Sequence, residues 1–173
     1  MNYQLLIESL SGYRGQEPAR FQSWTVFKLL DGGHMAGEFL YTANDIYGHG
    51  DIHFSWATAS YRVVQTLPGL FPRINHHLID ASTGVNVGEF RVTYSGRGIG
   101  EFLMNGNTWF VEKERRKNNF LLIGNGDLVS YSFRAARSSR PKEGLCESSS
   151  PDPFLPLAGL YLIHSFFELQ SDQ

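Results

Sequence analysis

The last apolar stretch constrains this chain most: Phe154-Leu-Pro-Leu-Ala-Gly-Leu-Tyr-Leu-Ile-His-Ser-Phe-Phe-Glu-Leu169. Asp152 suits an N-cap, Pro153 suits the first helical position, and Pro156 still falls in the first turn, where little hydrogen bonding is lost. The spacing predicts a helix over about 152–170. Its polar residues Tyr161, His164, Ser165 and Glu168 stand at i, i+3, i+4 and i+7, one narrow stripe. The remaining circumference is apolar. A helix lying on a sheet needs only a stripe of apolar residues, whereas this one needs enclosure on most sides. An antiparallel β-barrel, or a strongly curled sheet wrapped around the helix, provides it. An interfacial membrane helix would carry Lys or Arg on its polar face, and this segment has neither. No run of 18 apolar residues marks a spanning helix.

Upstream the text is strand-like from about residue 3 to 136. Ten strands are predicted: Tyr3–Glu8, Phe21–Leu30, Met35–Thr42, His53–Val64, Arg73–Ile79, Val85–Tyr94, Gly100–Met104, Thr108–Lys113, Asn119–Ile123 and Leu128–Ala135. Asn105-Gly106 and Asn125-Gly126 stand between apolar runs, and such pairs favour the positive φ angles of type I′ hairpin turns. The 14% aromatic content and 18 glycines agree with short strands and tight turns. Gly37-Glu38-Phe39, Gly88-Glu89-Phe90 and Gly100-Glu101-Phe102 echo one another within predicted strands. Their spacing is not periodic, so three chance matches remain the simpler account.

A mainly β single domain over 1–173 follows, with strands to about 136, a flexible polar linker over 137–151 and the terminal helix. The single Cys146 excludes an intramolecular disulfide and any multi-cysteine zinc site. Within the linker it is a mobile thiol with no base beside it, a poor nucleophile. The N-terminus shows no basic residue ahead of its apolar run, so a cytoplasmic protein is the expectation.

Two stretches resemble the tubby-like C-terminal fold superfamily, which also houses the phospholipid scramblase-like and LURP-one-related proteins. Lys117-Asn118-Asn119-Phe120-Leu121-Leu122 resembles the Lys-Asn-Phe strand near the end of tubby domains. Residues 153–167 look like the terminal helix of that family. These cover roughly 20 of the 173 residues, and the wider similarity is one of layout: many strands, then a buried C-terminal helix. Linker 137–151 departs from the pattern, and the chain is shorter than a full tubby domain. The resemblance implies a binding module that touches phosphoinositides or membranes.

Charge distribution points the same way. The net charge is −2, too acidic for a dedicated duplex-DNA binder. Yet eight of the fifteen basic residues lie between Lys113 and Lys142, opposed there by only Glu114 and Asp127. Lys113, Arg115, Arg116, Lys117, Arg134 and Arg137 are the candidate anion- or lipid-binding residues, since arginine suits bidentate phosphate contact. The bland alternative is a charged turn and a solvated linker. Acidic lipid or another phosphate-bearing ligand is the expected partner, and contact with a membrane would be peripheral.

No cofactor and no catalytic residue is assigned. His49, Asp51 and His53 would share one face if extended, about 6.5–7 Å between successive positions, and come nearest to a metal site. Glycines at 48 and 50 make a turn the plainer reading. His164 and Ser165 diverge by about 100° on a helix and cannot pair with each other. Of His76 and His77, one should face inward and pack. A barrel enzyme or small-molecule carrier, and an interaction module without a small ligand, stand as the alternatives to the anion-binding module.

Overall fold

A computed structural model describes residues 1–14, 20–43, 52–56, 59–66, 74–92, 98–114, 119–134 and 143–171. Within them the chain forms twelve strands and one helix: β1 (Asn2–Arg14), β2 (Arg20–Asp31), β3 (His34–Ala43), β4 (Ile52–Trp56), β5 (Ala59–Thr66), β6 (Ile74–Asp80), β7 (Asn86–Val92), β8 (Gly98–Met104), β9 (Asn107–Lys113), β10 (Asn119–Gly124), β11 (Asp127–Phe133), β12 (Glu143–Ser148) and α1 (Phe154–Ser171). Each strand pairs antiparallel with its neighbours in sequence. β12 pairs with both β11 and β1, which closes the sheet into a barrel. β12 meets β1 only over Asn2–Leu6, and beyond Leu6 the described residues of β1 pair with β2 alone.

Alternation turns one set of side chains inward. Leu5, Phe27, Leu29, Phe39, Phe54, Val63, Leu78, Phe90, Phe102, Val111, Phe120, Leu122, Val129 and Tyr131 are all fully buried or nearly so. They converge on α1, where every residue from Phe154 to Ile163 is buried, on every side of the helix. Each fully buried Leu or Phe is worth about 1.5–3 kcal/mol, so the wall and its filling stabilise each other. Leu157, Leu160 and Ile163 are 0–1% exposed, as the apolar pattern predicts, while Phe167 near the helix end is half-buried. At the start of the helix Asp152 Oδ1 accepts from the Phe154 amide at 2.9 Å. The Tyr131 hydroxyl donates to the Pro156 carbonyl at 2.9 Å and ties the first turn to β11.

The Gly-Glu-Phe echo has a physical meaning in the barrel. Phe39, Phe90 and Phe102 point inward. Arg91 bridges Glu89 and Glu101 at the surface, at 3.1 and 3.0 Å. Two of the glycines make room for the helix. A Cβ at Gly37 would stand 2.8 Å from Leu157 Cδ1, and one at Gly100 would stand 2.9 Å from Leu162 Cδ2. Small residues on the wall let the helix come close, and the neighbouring Phe side chains fill the space beside it.

Both predicted hairpins are present. Asn105 and Gly106 have φ of 52° and 78°, Asn125 and Gly126 50° and 83°, the type I′ signature. The strand count is corrected from ten to twelve. The predicted strand His53–Val64 is two strands, β4 and β5, which meet in register at Trp56 and Ala59. Trp56-Ala-Thr-Ala59 contains no Gly, Pro, Asn or Asp, so the reversal had no turn residue to announce it.

The second correction concerns linker 137–151. Residues 143–148 of it are β12, the strand that closes the barrel. Its inward face is Gly144, Cys146 and Ser148 and its outward face is Glu143, Leu145 and Glu147, so it lacks the usual apolar-in pattern. The neighbours explain this. Cys146 stands in register between Tyr3 and Tyr131, and a Cβ at Gly144 would meet Phe133 at 3.0 Å and Leu5 at 3.4 Å. Bulky side chains on β1 and β11 already occupy the interior there, which leaves β12 room only for small ones.

Strand directions sort the connections into two sets. One rim of the barrel carries the short links at 32–33, 81–85, 105–106 and 125–126 and the paired ends of β4 and β5, and the chain enters α1 there after β12. At the other rim, here the loop rim, β1, β3, β5, β7, β9 and β11 end and the strands that follow them begin. The helix runs from the first rim toward the second. Its early residue Phe154 touches Tyr61 at the start of β5, whereas Phe167 meets Phe120 at the start of β10.

Candidate functional site: the loop rim of the barrel

Of the predicted anion-binding residues, Lys113 and Arg134 are described, while Arg115, Arg116, Lys117 and Arg137 lie outside the described residues. Lys113 ends β9 and Arg134 follows β11, with β10 between them, so both stand at the loop rim. They differ in face. Lys113 continues the inward alternation of Trp109 and Val111, and its ammonium lies 6.0 Å from the ring centre of Phe120 and 5.8 Å from that of Phe166. A cation held over aromatic faces gains attraction from their quadrupoles without being neutralised. Among the described residues no carboxylate pairs with it.

Arg134 instead follows the outward face of β11 and reaches Glu143 at 3.2 Å, both side chains being well exposed. It borders a shallow cleft of about 280 Å³ on the outside of the barrel, together with Gln4, Ser132, Glu143 and Leu145. An exposed pair of this kind contributes little to stability.

The two opposing acids are also placed. Glu114 accepts from the Asn119 side-chain amide at 3.1 Å across the start of the β9–β10 connection. Asp127 lies at the other rim, beside Asn125-Gly126, and accepts from Trp109 Nε1 at 3.1 Å. The barrel therefore takes Asp127 away from the basic residues and brings Glu143 to Arg134 in its place.

His49 and Asp51 lie outside the described residues, as does the side chain of His53, whose backbone is in β4. Among the described residues no three His, Cys, Asp or Glu side chains are grouped to hold a metal. His76 is the inward member of its pair and is 2% exposed, whereas His77 shares a hydrogen bond with the Asn86 side chain at the surface. Burial, with a smaller contribution from His77, lowers the His76 pKa to about 4, so the ring is neutral at pH 7. Its Nδ1 is hydrogen-bonded to the Tyr161 hydroxyl. His164, one turn on, packs edge-on against Phe27 and Tyr41.

Cys146 is corrected from a mobile loop thiol to a buried strand residue. Burial pushes its pKa up to about 12, so it is a filler of the wall and not a nucleophile. Sequence reasoning missed it because Glu-Ser-Ser-Ser beside it reads as loop.

Comparison with protein-family models, with curated proteins and with solved structures finds no match to this chain.

Proposed function

We propose that the protein is a non-catalytic binding module whose loop rim receives an acidic phospholipid headgroup or another phosphate-bearing ligand. The observation that supports this most is the filled interior. α1 occupies the volume in which a barrel carrier or barrel enzyme would hold its ligand, so a ligand has the rim and the outer face to bind. Lys113 adds a cation without a carboxylate partner among the described residues, at the end of β9, and in sequence it stands two residues ahead of the basic run 115–117. The barrel followed by a buried helix is also the layout that the resemblance to tubby-like domains implies. Among the described residues no helix is long and apolar enough to cross a membrane. In this reading, contact with a lipid surface is peripheral and made from the cytoplasm.

Vesicle sedimentation tests the reading. The protein should sediment with phosphoinositide-containing vesicles at about 50 mM salt and be released as salt rises, because exposed charges are screened within about 10 Å at 0.1 M. Changing Arg115, Arg116 and Lys117 together to Glu should abolish binding and leave the melting temperature within a few degrees. Competition by inositol phosphate, and none by neutral lipid, would identify the phosphate as the recognised group. Failure of the unaltered protein to bind acidic vesicles or inositol phosphate would refute the reading.

A further inference from the structure

We propose that the outer face of β9, β10 and β11 docks an amphipathic helical segment of another protein, apolar on one side and flanked by lysine or arginine. Phe110, Ile123 and Leu128 are 50%, 43% and 48% exposed. The strand register makes them one row, Phe110 opposite Ile123 and Ile123 opposite Leu128. Directly opposed side chains on neighbouring strands stand about 5 Å apart, so the three form a continuous apolar strip rather than scattered surface residues. Half-buried Leu121, two residues from Ile123, extends the strip toward the loop rim.

Carboxylates border the strip. Glu101 is opposite Phe110 on its other side, and Glu112 is opposite Leu121. Glu147 stands across from Ser130, which is itself opposite Leu121. Arg91, the nearby cation, is already shared by Glu89 and Glu101, which leaves that trio net negative. Lys113 points inward to Phe120 and Phe166. An apolar centre with an acidic border is complementary to an apolar face with a basic border.

The closed barrel narrows the form of the partner. β9, β10 and β11 are each paired on both sides, so this face cannot be extended by a strand and the partner docks through side chains. Anchors at i, i+3 and i+4 on a helix are about 5–6 Å apart, commensurate with the strip. A second copy of this chain is disfavoured, since a two-fold contact would set carboxylates against carboxylates.

The probe is a leucine–lysine amphipathic peptide of about four turns, with its leucine–glutamate counterpart as control, followed by fluorescence anisotropy. Saturable binding of the first peptide is expected, weakened at least tenfold by Phe110→Ser with Ile123→Ser, and likewise by Glu112→Lys with Glu147→Lys, with unchanged cooperative melting. Equal binding to the variants, or to both peptides, would overturn the proposal. So would a dimer in sedimentation that Phe110→Ser dissociates, which would assign the strip to a second copy. Loss of acidic-vesicle binding in the Phe110/Ile123 variant would assign it to lipid, also overturning it, whereas the proposed function above is tested at Arg115–Lys117.

Discussion

His76 on β6 and Tyr161 in α1 are hydrogen-bonded to each other inside the barrel, imidazole Nδ1 to phenol oxygen, and neither is more than 2% exposed. The polar stripe of the helix thus meets a polar residue of the wall at this level. The pair fixes the rotation of α1 about its axis, because a helix turned by one residue would present Leu160 or Leu162 to the imidazole.

The same pair predicts a pH dependence. The folded-state pKa of His76 is about 4 against an ordinary value of 6.5, so between these limits the unfolded chain takes up a proton that the folded chain refuses. Its contribution is fully present above about pH 6.5 and is lost as pH falls to about 4, a fall of about 3 kcal/mol. Urea unfolding of the native protein at pH 7.5, 5.5 and 4.5 should show this slope. In His76→Gln it should be absent over that window, leaving only what the other groups contribute.

The glycines facing α1 should rank by what a methyl group would strike. At Gly100 it meets the Arg91 carbonyl oxygen at 2.8 Å as well as Leu162, and backbone cannot step aside. At Gly37 the first contact is the tip of Leu157. Gly100→Ala should therefore cost about 2–3 kcal/mol and Gly37→Ala about 1, measured by chemical denaturation. Equal costs would mean that the helix shifts to relieve both.

Cys146 should be silent toward Ellman's reagent. With its thiol pushed up to about 12 and no exposure in β12, thiolate is scarce even at pH 8.5. Modification should proceed at the rate of global unfolding and become immediate in denaturant. Rapid labelling of the native protein would show that β12 opens from β1 and β11 by itself.

Removal of α1 should unmake the barrel. Truncation before residue 152 withdraws the helix side chains against which Phe39, Phe54, Phe90 and Phe102 pack. The truncated chain should lose cooperative thermal unfolding and aggregate. Leu160→Asp, placing a carboxylate at a position 1% exposed, should lower stability by several kcal/mol within a total of about 5–15. A soluble truncated protein that melts cooperatively would contradict the central role of the helix.

What the order of amino acids determined alone was whatever depends on neighbours along the chain. Asp152-Pro153 starts the helix, its all-round apolar surface demands enclosure, and the Asn-Gly pairs reverse the chain with φ angles that few other residues adopt. Tertiary structure decided what depends on volume and sides. β12 reads as linker because its inward Gly144, Cys146 and Ser148 are small. They are small because Tyr3, Leu5, Tyr131 and Phe133 fill the space before them, a relation between residues far apart in sequence. The pairing of β4 with β5 from Trp56 and Ala59 onward likewise was announced by no turn residue. The charges obey the same division. Lys113 and Arg134 can be seen as a basic run in the letters, but only the pleat sends one over the aromatic rings at the barrel mouth and the other outward to Glu143. Alternation has a period of two, so the side a charge takes depends on the register that closure of the whole barrel imposes.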